Sequence, residues 1–82
     1  MQISVEISLY PLTQVYEQPI LEFIAALNKF QGLSIKTNNM STQITGEYDM
    51  VMGALTECLK KTFEDPTTSI GLIKILNKPV EI

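Results

Sequence analysis

Glu6 sits at the centre of a strictly alternating run, Gln2-Ile3-Ser4-Val5-Glu6-Ile7-Ser8-Leu9. Carboxylates are depleted from strand centres, so this one needs a reason to be there. Two readings stand. Glu6 can accept hydrogen bonds from a cationic or amino-bearing ligand, or it is a charge on a solvated sheet face, paired with a lysine such as Lys36 or Lys74. The run ends in Tyr10-Pro11-Leu12, where a tyrosine offers a broad apolar face with one polar tip. That ring can wall the mouth of a pocket or pack the loop. Further on, Asn38-Asn39-Met40-Ser41-Thr42 gathers amides and hydroxyls that can orient a heterocycle, or that simply make a hairpin turn. Met40, Met50 and Met52 suit gap-filling as well as a binding surface. Glu47 and Asp49 read as dipole and capping groups rather than a catalytic pair.

Missing residue types remove whole classes of chemistry. The 82-residue chain has no His, no Trp and no Arg, and all six of its basic residues are lysines. Without His it lacks the common near-neutral base and the imidazole metal ligand. Without Arg it lacks the bidentate clamp for phosphate or carboxylate, which argues against an acylphosphatase-like enzyme. A net charge of −3 gives no basic footprint for nucleic acid or anionic lipid. The charge balance favours a neutral or cationic ligand. No Gly-rich phosphate loop, metal-ligand spacing or paired nucleophile and base is present, and no enzymatic activity is expected. Cys58, the single cysteine, falls in an apolar helical pattern and reads as a core residue. The opening residues have no positive segment, Glu6 interrupts any apolar stretch, and no apolar run approaches membrane-spanning length. The expected location is cytoplasmic.

The elements that position these groups follow from periodicity. Residues 2–9 alternate as a half-buried strand, which Pro11 is expected to end. Over 19–31, Ile20, Phe23, Ile24, Leu27 and Phe30 recur at spacings of three and four, the pattern of an amphipathic helix, with Gly32 as its left-handed stop. Residues 33–37 alternate again. Asn38-Asn39 suits a tight hairpin turn with positive φ, leading to a third strand over 40–46. Glu47-Tyr48-Asp49 opens a second helix, whose stripe is Val51, Ala54, Leu55, Cys58, Leu59 and Thr62. Lys60 and Lys61 complement its negative end, and Pro66 stops it. Residues 67–76 form a last strand that is apolar at both parities, so both of its faces need cover.

The order strand, helix, strand, strand, helix, strand is that of an α+β ferredoxin-like βαββαβ sandwich. The expectation is one domain over residues 1–82. Its four-stranded antiparallel sheet has order 4-1-3-2, with two helices on one face and the other face open. So small a chain has a thin core, and a subunit interface is the natural way to bury more.

Together, Ile7-Ser8-Leu9-Tyr10-Pro11-Leu12 and Met40-Ser41-Thr42-Gln43-Ile44-Thr45-Gly46 resemble the small thiamine-binding protein family, also described as YkoF-like. The resemblance runs in order and spacing through nearly the whole chain. It implies non-enzymatic binding of thiamine or its hydroxymethylpyrimidine moiety by a small carrier or sensor, with no separate cofactor, in a homo-oligomer that is a dimer or tetramer. The alternative is a structural or regulatory oligomerisation module with no small-molecule ligand. The sequence departs from the family pattern at Thr45, where an acidic residue is common, and at Lys78, where an arginine often stands. The ligand-binding residues expected are Glu6, Ser8, Tyr10 and Thr42, the last with helix-facing parity, and Asn38 and Met40 at the pocket edge. With the first and third strands taken as parallel, Tyr10 would lie near Gly46, and Asn38 and Met40 would join only from a neighbouring subunit or as pocket edge.

Overall fold

A computed structural model describes residues 1–82. The elements run β1 (Gln2–Pro11), α1 (Glu17–Leu27), β2 (Ser34–Thr37), β3 (Thr42–Glu47), α2 (Tyr48–Phe63) and β4 (Ser69–Leu76). They form one four-stranded sheet of order β2-β3-β1-β4, with every neighbouring pair antiparallel. This is the expected ferredoxin-like α+β arrangement. One element of the sequence reading is overturned: β1 and β3 are antiparallel, pairing Ile3 with Gly46 and Ile7 with Thr42. The reason is topological. A crossover through α1 makes β1 parallel to β2, and the hairpin then reverses the chain into β3 between them. Tyr10 therefore lies at the Thr42 end of the sheet, far from Gly46.

Alternation assigns the faces. Ile3, Val5 and Ile7 of β1 and Ile44 of β3 point toward the helices and are buried with Phe23 and Leu27 of α1 and Val51, Ala54, Leu55 and Cys58 of α2. Burial pushes the Cys58 thiol up, with the neighbouring Glu57 charge adding to the effect, so it is a protonated core group at neutral pH. On the open face, register sets residues in rows. Ser34, Thr45, Ser4 and Leu76 form one row, and Lys36, Gln43, Glu6 and Lys74 the next. Beyond them Ser8 pairs with Leu72 and Tyr10 with Ile70.

Boundaries differ from the periodic pattern for local reasons. Strand β1 runs on through Pro11, because past Ile7 it pairs with β4 alone and a residue at the strand's end can do without its N–H. Helix α1 begins two residues before Pro19, which sits among the first helical positions where N–H groups have no intrahelical acceptor. It ends at Leu27: the Asn28 side-chain amide and backbone N–H both donate to the Ile24 carbonyl, and tighter turns to Ala26 and Leu27 follow. Gly32 takes the left-handed conformation, φ +83°, but after these turns. Strand β4 starts at Ser69, two residues later than expected. In α2 the Glu47 carboxylate caps the helix, accepting from the amides of Asp49 at 3.1 Å and Met50 at 3.2 Å.

The β2–β3 connection also departs from expectation. No non-glycine residue has positive φ, so Asn38-Asn39 is not the expected tight turn. Residues 38–41 instead form a loop around the Asn38 side chain, whose carbonyl accepts from Met40 N at 2.8 Å and Ser41 N at 3.0 Å. Asn38 N donates to the Ser41 carbonyl at 3.0 Å, and β3 starts only at Thr42.

Candidate functional site

Because β1 and β3 are antiparallel, the end of β1 and the 38–41 loop meet at one corner of the sandwich. The Ser8 hydroxyl donates to the Met40 carbonyl at 3.2 Å, and the Ser41 hydroxyl donates to Glu6 Oε2 at 3.0 Å. Two backbone segments distant in sequence are thus tied through side chains on the open face. On the other side of the loop, the hydroxyls of Thr37 and Thr42 are 3.0 Å apart, with Thr42 buried on the helix-facing side.

Two hollows flank this loop. The first is a cleft of about 420 Å³ between the end of β1, the loop and the first turns of α1. Tyr10, Tyr16 and Phe23 give it aromatic walls, Leu12, Ile20 and Ile24 add apolar ones, and Ser8, Thr37, Asn38 and Thr42 supply polar groups. No charged residue lines it. Its size and its mix of apolar walls with a few polar groups are those of a small-molecule site. The second hollow, about 460 Å³ and more open, lies on the sheet face and adds Glu6 to Ser8, Tyr10, Asn38, Asn39, Met40 and Ser41. A larger hollow of about 580 Å³ lies between α1 and α2, where Lys29 and Lys61 alternate with Glu22, Glu64 and Asp65. It contains none of the six candidate ligand-binding residues, and its mixed charges favour no ligand class.

Five of the six candidates, Ser8, Tyr10, Asn38, Met40 and Thr42, line the cleft within a single chain. No neighbouring subunit is needed to bring Asn38 and Met40 to Tyr10, contrary to the expectation built on parallel strands. Glu6 lies outside the cleft, on the sheet-face side of the same loop. Its carboxylate is held below its ordinary value, first by the Ser41 hydrogen bond and then by the charge of Lys74, whose ammonium is 3.5 Å away. Of the two lysines considered as partners, Lys74 makes the pair. Its side chain is 80% exposed, so an incoming cation can displace it at little cost. Sequence reasoning missed Tyr16, Ile20 and Phe23 as cleft walls. The helical periodicity marks Ile20 and Phe23 only as apolar, and nothing local shows that the start of α1 overhangs the end of β1.

Comparison with known proteins follows the same outline. A protein from Streptococcus pneumoniae has a solved structure that superposes with a TM-score of 0.87 at 24% identity, covering 98% of this chain and 90% of that one. A proposed thiamine biosynthesis/salvage protein from Thermotoga maritima gives a TM-score of 0.85 at 16% identity, covering 100% and 91%. At such identities the likeness is one of fold. A de novo designed protein also shares it, with a TM-score of 0.61 at 10% identity over 95% and 99% of the two chains. The fold by itself therefore specifies no ligand. None of the curated proteins gives a significant sequence match. No helix is long and apolar enough to cross a membrane. The sequence model of one family, described as thiamine-binding protein, matches residues 5–80. The match spans both helices, all of β2 to β4, and the Glu6 to Tyr10 and 38–42 segments that build the corner site. On that match, the chain belongs to the thiamine-binding protein family, whose members are small-molecule binders rather than enzymes.

Proposed function

We propose that the protein binds unphosphorylated thiamine or its hydroxymethylpyrimidine moiety in the cleft beside the 38–41 loop, acting in the cytoplasm as a carrier or sensor. The observation that carries this reading is the convergence of Tyr10, Tyr16 and Phe23 with Ser8, Asn38 and Thr42 on one uncharged cleft. A flat aminopyrimidine stacks on aromatic walls, and amide and hydroxyl groups orient its ring nitrogens and amine. Glu6, on the far side of the loop, gives a permanent thiazolium cation a nearby counter-charge. A diphosphate finds no lysine among the cleft residues, and the chain has no arginine.

Calorimetric titration with thiamine, hydroxymethylpyrimidine and thiamine diphosphate at matched pH and salt tests the proposal. Saturable binding of the first two, with the diphosphate weaker, is expected. Heats indistinguishable from dilution for all three would discard the carrier reading and leave an oligomerisation module as the better account.

Assembly into a dimer or tetramer belongs to the same proposal. Strand β4 is at the sheet edge with no partner on its outer side, and Ile70, Leu72, Ile75 and Leu76 are about half exposed along it. A long, apolar, unpaired edge is stable in water only when something covers it. Leu72→Asp, which places a charge in this strip, is expected to lower the mass measured by light scattering to that of a monomer while the far-UV dichroism stays unchanged. An unaltered mass would place the interface elsewhere.

A further inference from the structure

Ser4 lies on the open sheet face, yet only 7% of it is exposed, whereas Glu6 and Ser8 beside it on the same face are half-buried. What covers it is the stretch of chain that follows β4. Strand β4 finishes at Leu76, directly opposite Ser4, and the chain bends at Asn77 and Lys78 to return across the sheet. The Ser4 hydroxyl donates to the Lys78 carbonyl at 2.8 Å and accepts from the Val80 amide at 2.8 Å. From the neighbouring strand, the Thr45 hydroxyl donates to the Val80 carbonyl at 3.2 Å. Ser4 Oγ and Thr45 Oγ1 are 3.1 Å apart. Each hydroxyl has a single proton. With the Ser4 proton on Lys78, Thr45 shares its own between Val80 and Ser4, so the two residues act as a unit.

Every one of these bonds to the tail goes to its main chain. The side chains of Lys78, Val80 and Glu81 contribute none, and Pro79 between the bonded residues restricts the backbone so that less freedom is lost when the tail docks. Two hydroxyls on adjacent strands that take up C=O, N–H and C=O in succession recognise a backbone irrespective of its sequence.

We propose that Ser4 and Thr45 form a clamp for main chain. Residues 78–80 are its built-in occupant, a strap that closes this end of the open face to extended segments from a second copy. The clamp lies at the opposite end of β1 from Tyr10, so the strap leaves the loop corner free. It stands independently of any ligand reading.

Amide exchange followed by NMR on the full chain tests the clamp. Val80 N–H is expected to exchange about tenfold more slowly than an unprotected amide, as one satisfied hydrogen bond in a local opening unit gives. Ser4→Ala should abolish that protection, and Thr45→Val should reduce it by a smaller factor. Unprotected exchange of Val80 in the wild type, or full protection surviving in Ser4→Ala, overturns the clamp. For the covering role, a chain ended after Asn77 and the full-length Ser4→Ala/Thr45→Val variant are compared with wild type by light scattering and by binding of an apolar dye. Both should show higher mass or more dye bound with unchanged far-UV dichroism. Values equal to wild type in the full-length double variant overturn the covering role, whether or not the shortened chain folds.

Discussion

Leu27→Ala is expected to lower the unfolding free energy by about 3 kcal/mol or more, within the range for emptying a buried leucine site. Leu27 closes α1 and is 0% exposed, packed in one cluster with Phe23, Ile7, Ile44, Leu55 and Cys58. The cluster holds only ten buried residues, so few neighbours can shift to fill the space. An 82-residue domain has a total stability of roughly 4–12 kcal/mol, and the loss is therefore a large part of the whole. In thermal unfolding it corresponds to a fall of about 12–24 °C in Tm, since about 1 kcal/mol moves a domain of this size by 4–8 °C. Leu21→Ala on the same helix is the control, because Leu21 is 58% exposed and its truncation should stay within about 0.5 kcal/mol. Both variants are measured at one protein concentration, since association shifts the apparent Tm. Equal effects of the two substitutions would show that α1 does not seat Leu27 in the core.

The fold was legible because β1 and the two helices each carry one clean period, although β4, apolar at both parities, does not. Gln2 to Leu9 could be a strand and nothing else, and Val51, Ala54, Leu55 and Cys58 could share only a helix face. The capping role of Glu47 and the core position of Cys58 were also readable, each from residue type at a known place in a helix. Element ends were less legible. Hydrophobic period cannot register a side-chain hydrogen bond such as Asn28 to Ile24, and it runs past the point where that bond ends α1. The largest error concerned direction. Periodicity says that β1 and β3 are strands with assigned faces, but it has no sign along the chain. Only the crossover through α1 fixes that β3 runs against β1. Taking them as parallel separated Tyr10 from Asn38, when the register brings both to one cleft. The same blindness hid the strap: Ser4 and Thr45 look like ordinary polar residues on an open face until the chain beyond Leu76 folds back over them. The sequence could offer Lys36 or Lys74 as a partner of Glu6 but not choose between them; cross-strand position decides, with Lys74 directly opposite on β4 and Lys36 beyond Gln43 on β2.

That partner sets the second large effect. If Glu6 serves as the counter-charge proposed here, Glu6→Gln should weaken thiamine binding about tenfold, the scale of losing one charge-assisted contact, while neutral hydroxymethylpyrimidine changes by less than about twofold. Glutamine keeps the length and the oxygen that accepts from Ser41, so the loop stays tied to β1 and the substitution removes charge alone. Lys74→Met makes the complementary change. It removes the cation that already occupies Glu6, and thiamine affinity should rise. Loss of both ligands to the same extent in Glu6→Gln would mean that Glu6 acts on the loop and has no part in charge recognition. The unliganded protein gives an independent check through pH. Glu6 is held below its ordinary value of 4.5 by Ser41 and Lys74. A depressed carboxylate stabilises the fold above its unfolded pKa, and that contribution is lost as pH falls through the lower folded value. Wild type should thus exceed Glu6→Gln in Tm at pH 7 and keep that advantage down to about pH 4.5, the two curves converging only as the medium becomes more acidic. Curves separated by a constant amount down to pH 3 would show that the ionised carboxylate is not what Ser41 and Lys74 hold in place.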